Sequence, residues 1–157
     1  MNYQAYCMSN GMSALIYLNE SAPQSLEKEV YDLLCRWRDD GVYGLGKVFT
    51  REETAARGLD GAFSFVLETD GYTSFSDVIT DAICRPLDNS DYRVGAATHG
   101  YLPELGPQPI LVANGPDIRQ GVVLESNSIV NEAPTYATIF GLELKDAVGK
   151  PIYEILK

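Results

Sequence analysis

Residues 11–41, GMSALIYLNESAPQSLEKEVYDLLCRWRDDG, contain an apolar run, a capping signal and an amphipathic segment in direct succession. The apolar run at 14–18 is short and partly β-branched, which predicts a buried strand. Ser21 is followed three positions later by Gln24, with a proline between them, and this pattern is typical of a helix N-terminus. Apolar residues then recur at helical spacing. The stretch therefore predicts a strand and an amphipathic helix that ends at Gly41.

The rest of the first half continues the alternation of strands and helices. Residues 42–49 are strand-like, and Thr50-Arg-Glu-Glu53 is a second capping box that predicts a short helix ending at Gly58. Residues 62–67 predict a further strand, and a tight turn at Asp70-Gly71 precedes a strand at 72–75. The predicted order is β-α-β-α-β-β over the first 76 residues.

The second half has a weaker pattern. Residues 77–92 are rich in turn formers and predict a connector, after which short strands are expected at 94–97, 109–113 and 122–124. Asn131 is a good helix cap and Gly141 a good stop, so a short helix is expected between them. We therefore expect an α/β (α+β) protein, with a sheet-and-helix subdomain at 1–76, a connector at 77–92 and a C-terminal segment at 93–157.

Composition narrows the functional classes. The formal charge of −10 repels phosphate backbones, which argues against a nucleic-acid polymer as partner. The three cysteines are far apart and form no C-x-x-C pair, which favours a reducing compartment over a disulfide framework. The longest apolar run is too short to span a bilayer, and the N-terminus has no basic region of a secretion signal. We expect a cytoplasmic protein.

His99 is the single histidine of the chain and lies at the end of a predicted strand, before Gly100. A zinc ion requires three or four ligands at fixed geometry, and only Asp91 and Glu104 lie near in sequence, in no recognised metal spacing. The residues alone leave two alternatives for His99, a metal ligand or an ordinary solvated loop side chain, and the second is the more common.

The remaining candidates are weaker. Asp77 and Asp81 would share a face if their segment were helical, as a carboxylate pair for acid–base chemistry, but like charges at this spacing are more often a solvated surface. Cys84 lies beside Arg85 and has no other activating neighbour, so a plain thiol is expected. Three aromatic residues are candidates for a pocket, although packing is the more common role for each: Tyr72, Phe75 and Tyr101.

Five short motifs follow one another in order between residues 95 and 144. They are His99-Gly-Tyr-Leu-Pro103, Gly115-Pro-Asp-Ile118, Gly121-Val-Val123, Ala133-Pro-Thr135 and Gly141-Leu142. Each motif alone is weak, whereas the ordered set is fairly specific. The set resembles the C-terminal end of the type I phosphodiesterase/nucleotide pyrophosphatase family, within the alkaline phosphatase superfamily.

The resemblance implies that His99 is the last histidine ligand of a site for two divalent metal ions, zinc in this family, beside the transferred phosphoryl group. It implies a substrate that is a phosphate-ester or phosphonate small molecule. Residues 11–75 are similar to an insertion that forms a cap over the active site in bacterial members. Residues 93–157 then correspond to a strand-loop-strand-helix segment of an alkaline-phosphatase-like core.

The family's nucleophilic Thr or Ser, its aspartate ligands and its Asp-His-Gly motif are not found in this sequence. We therefore expect a fragment of a longer phosphoric diester hydrolase that is inactive alone, holds zinc weakly and self-associates through the surface of the missing lobe. The alternative is a non-catalytic α/β module that binds a small ligand or a protein, in which His99 has only a structural role.

Overall fold

The computed structural model describes residues 3–78, 80–86 and 98–157. The chain divides into two compact units, Met1–Gln108 and Pro109–Lys157. The fold is α+β, as expected at that level. The described residues 77, 78, 80–86 and 98–108 belong to the first unit.

The first unit is built on a four-stranded antiparallel sheet. Its strands are β1 (Ala5–Asn10), β2 (Ser13–Leu18), β3 (Leu45–Thr50) and β4 (Phe65–Thr69). The order across the sheet is β1-β2-β4-β3, so β2 and β4 are central and β1 and β3 are edges. Strand β4 is buried along its whole length because it has a neighbour on each side and packing on both faces.

Helix α1 (Ser25–Asp40) covers one face of this sheet. Leu34 of the helix joins a buried cluster with the inward side chains of the strands, and removing such apolar surface from water is the main stabilising term. The members of the cluster are Ala14, Ile16, Leu34, Leu45, Val48, Phe65 and Leu67. The predicted stop is confirmed, because Gly41 is left-handed with φ 66° and its N–H bonds to the carbonyl of Arg38.

The predicted start of α1 is wrong. The helix begins at Ser25 after Gln24, and Ser21 caps nothing. The Ser21 hydroxyl instead donates to the side-chain oxygen of Asn19 at 2.6 Å, in a turn that precedes the helix.

The second capping box is confirmed. Helix α2 (Arg51–Ala55) begins directly after Thr50, whose hydroxyl oxygen accepts from the backbone N–H of Glu53 at 3.3 Å. The Glu53 carboxylate accepts from the N–H of Thr50 at 2.8 Å. Two N–H groups that the helix leaves unpaired are thereby bonded.

Two strand predictions in the first unit are corrected by the structure. Strand β1 was missed, and it pairs with β2 through the turn at Gly11-Met12. Residues 72–75 form no strand, since Tyr72 is 94% exposed and Phe75 makes a single backbone bond, to the carbonyl of Gly11. The strand predicted at 94–97 lies outside the described residues.

The second unit contains helix α3 (Glu132–Ile139), between single 3-10 turns at Ile129–Asn131 and Tyr153–Ile155. Gly141, at φ 68°, follows the helix as predicted. Asn131 precedes the helix but its side chain does not cap it, because its oxygen accepts from the N–H of Lys150 at 2.9 Å.

The strands predicted at 109–113 and 122–124 are wrong for this structure, where both segments are irregular. Within the described part of the second unit, the β-pairing consists of one isolated bridge, between Ile118 and Leu156. A strand requires a partner for its backbone groups, and an apolar run supplies none by itself. Of the helices in the described ranges, none has the length and apolar character needed to cross a membrane.

Candidate functional site

The candidate site is the loop at residues 98–103, which we call the His99 loop. The side chain of His99 is exposed, while its backbone is tied to the sheet. The N–H of Met12, in the turn between β1 and β2, donates to the carbonyl of His99 at 2.7 Å. The loop therefore presents an imidazole to its surroundings from a backbone that is held in place.

Two glycines allow this close approach. Gly100 adopts φ 112°, and a Cβ at this position would collide with the carbonyl of Asn10. Across the contact, Gly11 adopts φ 71°, and a Cβ there would lie 2.5 Å from the carbonyl oxygen of His99. A side chain at either position is excluded both by the backbone conformation and by the space available. The loop and the turn thus pack backbone against backbone.

The far end of the loop is held by a buried carboxylate. Glu68 of β4 is 1% exposed, and its Oε1 accepts from the N–H of Leu102 at 2.7 Å. Its Oε2 is buried without a hydrogen-bond partner, and the nearest cation is Lys47, with Nζ at 3.9 Å. Because a buried ionised group is costly unless paired, Glu68 is an unusual residue for a central strand.

An ion pair lies just beyond the loop. Arg57 follows α2 and donates to the Glu104 carboxylate, and this hydrogen bond lowers the pKa of Glu104 below its ordinary value. The same guanidinium lies over the ring of Phe49, with its carbon 5.5 Å from the ring centroid. In this structure Glu104 is therefore paired with Arg57.

Within the ranges that the structure describes, no group of three or more His, Cys, Asp or Glu side chains is arranged to hold a metal ion. Of the two carboxylates near His99 in sequence, Glu104 pairs with Arg57, and Asp91 lies outside those ranges. An imidazole is a suitable zinc ligand, and His99 carries the single imidazole of the sequence.

Comparisons with protein-family models, with curated proteins and with solved structures found no match for this chain.

The structure does not bring the other candidates together into one site. Asp77 and Asp81 are exposed and not on a helix, so they share no helical face, and Asp77 accepts from the N–H of Ser9 at 2.7 Å. Cys84 is an exposed free thiol, as expected. The three aromatics form no common pocket: Tyr72 is exposed, Phe75 packs against the core under α1, and the Tyr101 hydroxyl lies 3.5 Å from Oγ1 of Thr69.

Sequence reasoning missed the residues that hold the loop. Glu68 carried a usable signal, since it is a lone acidic residue in the apolar run of β4. Met12 carried none, because it contributes only its backbone N–H and carbonyl. Gly11 was visible as a turn former, but its contact with His99 joins positions far apart in the chain.

Proposed function

We propose that this chain is the cap and C-terminal segment of a metal-dependent phosphodiesterase of the type I phosphodiesterase/nucleotide pyrophosphatase family. In this proposal His99 binds one of two divalent metal ions, zinc, whose remaining ligands and nucleophile belong to the rest of the enzyme. One observation carries the proposal. The single histidine of the sequence extends an exposed imidazole from a loop whose backbone is bonded at both His99 and Leu102.

A fixed backbone suits a metal ligand. Binding a metal requires the donor atom at a set position, and a loop that is already ordered loses less conformational entropy on binding than a free one. The bonds at Met12 and Glu68 order the loop, and the exposed ring leaves its nitrogens accessible. Two bound zinc ions would supply polarisation of the phosphoryl oxygens and stabilisation of the attacking and leaving oxygens.

The surface of the second unit also supports the proposal. More large apolar side chains are exposed there than is usual for a surface that faces solvent, and such patches are typical of interfaces. The most exposed are Ile110 at 88%, Val112 at 85%, Val123 at 89%, Phe140 at 77% and Val148 at 89%. In our proposal a further lobe of the enzyme covers them. The second unit would then be part of an alkaline-phosphatase-like core.

The substrate in this proposal is a phosphate-ester or phosphonate small molecule. The net charge of −10 disfavours a nucleic-acid polymer. The same exposed apolar side chains would favour self-association when the chain is isolated. We propose the cytoplasm as location, with the free thiols Cys7, Cys35 and Cys84 as support.

A second candidate function is a non-catalytic binding module, and a tyrosine cluster favours it. Tyr6 and Tyr17 are stacked with ring centroids 4.8 Å apart, and Tyr3 meets Tyr6 edge-on at 5.2 Å. Tyr3 and Tyr6 are 41% and 43% exposed. Half-exposed tyrosines bury a large area at low entropic cost, which suits a small ligand or a protein surface.

Hydrolysis of a nitrophenyl phosphodiester with added zinc separates the two functions. It is measured for this chain and for a protein extended upstream through the reading frame, each with His99→Ala and with Asp81→Asn as an exposed control. We expect activity in the longer protein alone, lost in His99→Ala and retained in Asp81→Asn. Activity in neither protein would favour the binding module. Activity in the short chain would contradict our account of the missing ligands.

A further inference from the structure

We infer that Glu68 is a positioning residue, which fixes the His99 loop on the sheet and thereby sets where the imidazole is presented. The role of the imidazole rests on the proposed function, whereas the fixing of the loop does not. In this view the four-stranded sheet, which the family resemblance assigns to a cap, also holds the His99 loop in position. Three features of the structure lead to this inference.

The first feature is a direct bond at the end of the loop. Oε1 of Glu68 accepts from the N–H of Leu102 at 2.7 Å, and the Glu68 residue is 1% exposed. A hydrogen bond to a charged acceptor in a dry environment is stronger than one between neutral groups. The side chain of Leu102 packs against the cluster of Phe49, Phe63 and Val66 on the same face of the sheet. The bond therefore holds this end of the loop against buried apolar surface.

The second feature is a pair of backbone hydrogen bonds that connects the start of the loop to β4 through Met12. Thr69, next to Glu68 in β4, donates its N–H to the carbonyl of Met12 at 3.0 Å, and Met12 donates its own N–H to the carbonyl of His99 at 2.7 Å. Two consecutive residues of one central strand thus hold the loop at two points. The bond at His99 depends on backbone groups alone, whereas the bond at Leu102 depends on a side chain that a substitution removes.

The third feature is the unpaired oxygen. Oε2 of Glu68 is buried without a hydrogen-bond partner, and Lys47, 44% exposed, has its Nζ at 3.9 Å. Burying a carboxylate with one oxygen unpaired destabilises the fold relative to an apolar side chain of similar size. A side chain with this cost fits a group that accepts the Leu102 N–H rather than one that only fills space.

The test measures amide hydrogen exchange by NMR in this chain. The variants are Glu68→Met, which keeps the volume and removes the acceptor, and Glu68→Gln, which keeps an acceptor oxygen without the charge. In Glu68→Met we expect the Leu102 amide to exchange about tenfold faster or more, the change that follows from losing one hydrogen bond to a charged acceptor. Leu67 and Ala14, in the sheet core, should keep their rates, and Glu68→Gln should restore protection of Leu102.

A uniform acceleration of all amides in Glu68→Met, or an unchanged Leu102, would overturn the inference. If Glu68→Met does not fold, the unaltered protein decides. A Leu102 amide that is protected in the unaltered protein and remains protected in Glu68→Gln supports the anchor, and an unprotected Leu102 amide in the unaltered protein overturns it.

The longer protein tests the consequence for His99. Glu68→Met should raise the zinc concentration needed for half-maximal hydrolysis about tenfold, and Glu68→Gln should largely restore it, as expected when an outer residue orients a metal ligand. If the loop is released but zinc dependence is unchanged, the positioning role is wrong while the proposed function stands. If hydrolysis does not depend on His99, the proposed function is wrong, and the exchange result alone then decides whether Glu68 fixes the loop.

Discussion

The hydroxyl of Thr135 binds the N–H of Ile152 across the second unit, at 2.9 Å. The same oxygen donates its proton to the carbonyl of Asn131 at 2.6 Å, and Thr135 is 1% exposed. One buried oxygen thereby joins α3 to the C-terminal turn. Both hydrogen bonds of this oxygen lie within the second unit, so its loss should destabilise that unit and leave the stability of the first unit unchanged.

Thr135→Val preserves the shape of the side chain but removes both bonds. The N–H of Ile152 would be left buried and unpaired, which costs about 1 to 3 kcal/mol. We expect amides of α3 and of the C-terminal turn to exchange faster, while those of the four-stranded sheet do not change. Thr135→Ser, which keeps the hydroxyl, is the matched control and should lose much less. Equal effects of the two substitutions would show that methyl packing matters as much as the hydroxyl and would contradict this expectation.

Gly100→Ala tests the close packing of the His99 loop on the turn of β1 and β2. The substitution combines a positive φ with a collision at the carbonyl of Asn10, and should destabilise the first unit by about 3 kcal/mol. Gly41→Ala is the control, since Gly41 has φ 66° but nothing within 4 Å of the added Cβ. It should cost about 1 kcal/mol from the backbone conformation alone. Urea unfolding followed by Trp37 fluorescence compares them, and an equal loss in both would refute the collision.

The ion pair of Arg57 and Glu104 should give the first unit a specific pH dependence. The hydrogen bond from Arg57 lowers the pKa of Glu104 below the ordinary 4.5. A carboxyl group with a lowered pKa in the folded state contributes stability that is present above its ordinary pKa and is lost as the pH falls through the lowered value. We expect NMR titration to show a lowered Glu104 pKa in the unaltered protein and a higher one in Arg57→Met, because the hydrogen bond from Arg57 is the largest of the causes that lower it.

Because both side chains of this pair are substantially exposed, the gain in stability should be small and should weaken with salt. Glu104→Gln should remove the part of the pH dependence of stability that comes from Glu104. In a protein that already carries Glu104→Gln, adding Arg57→Met should then leave the pH dependence of stability unchanged. A Glu104 carboxyl that titrates alike with and without Arg57 would contradict the pairing.

The sequence predicted the elements whose causes are local. The capping box at Thr50 and Glu53 and the glycine stop at Gly41 lie within a few residues of the groups they satisfy, so their pattern is sufficient. Ser21 failed as a cap because the helix begins four residues later, at Ser25, and the Ser21 hydroxyl donates instead to Asn19. A capping pattern thus identifies a helix start only when the helix begins directly after it.

The elements that depend on distant partners were not predictable. Strand β1 is a mostly exposed edge strand that exists because β2 pairs with it, and the apolar run at 109–113 forms no strand in this structure. The same distinction between local and distant causes applies to the residues of the candidate site. His99 stood out as the single histidine, whereas its supports at Met12 and Glu68 meet it only in the fold.

The capping box gives the last prediction. Thr50→Ala removes the oxygen that accepts the Glu53 N–H and should destabilise the first unit by about 1 kcal/mol, the usual cost of losing an N-cap side chain. Thr50→Ser keeps the oxygen and is the matched control. Glu53→Ala removes the reciprocal bond to the N–H of Thr50.

Since the two bonds order the same turn, the double variant should lose less than the sum of the losses of Thr50→Ala and Glu53→Ala, and urea unfolding compares these variants with the unaltered protein. Strict additivity would mean that the two bonds stabilise α2 independently. No loss in Thr50→Ala would mean that α2 is held by the packing of buried Thr54 and not by its cap.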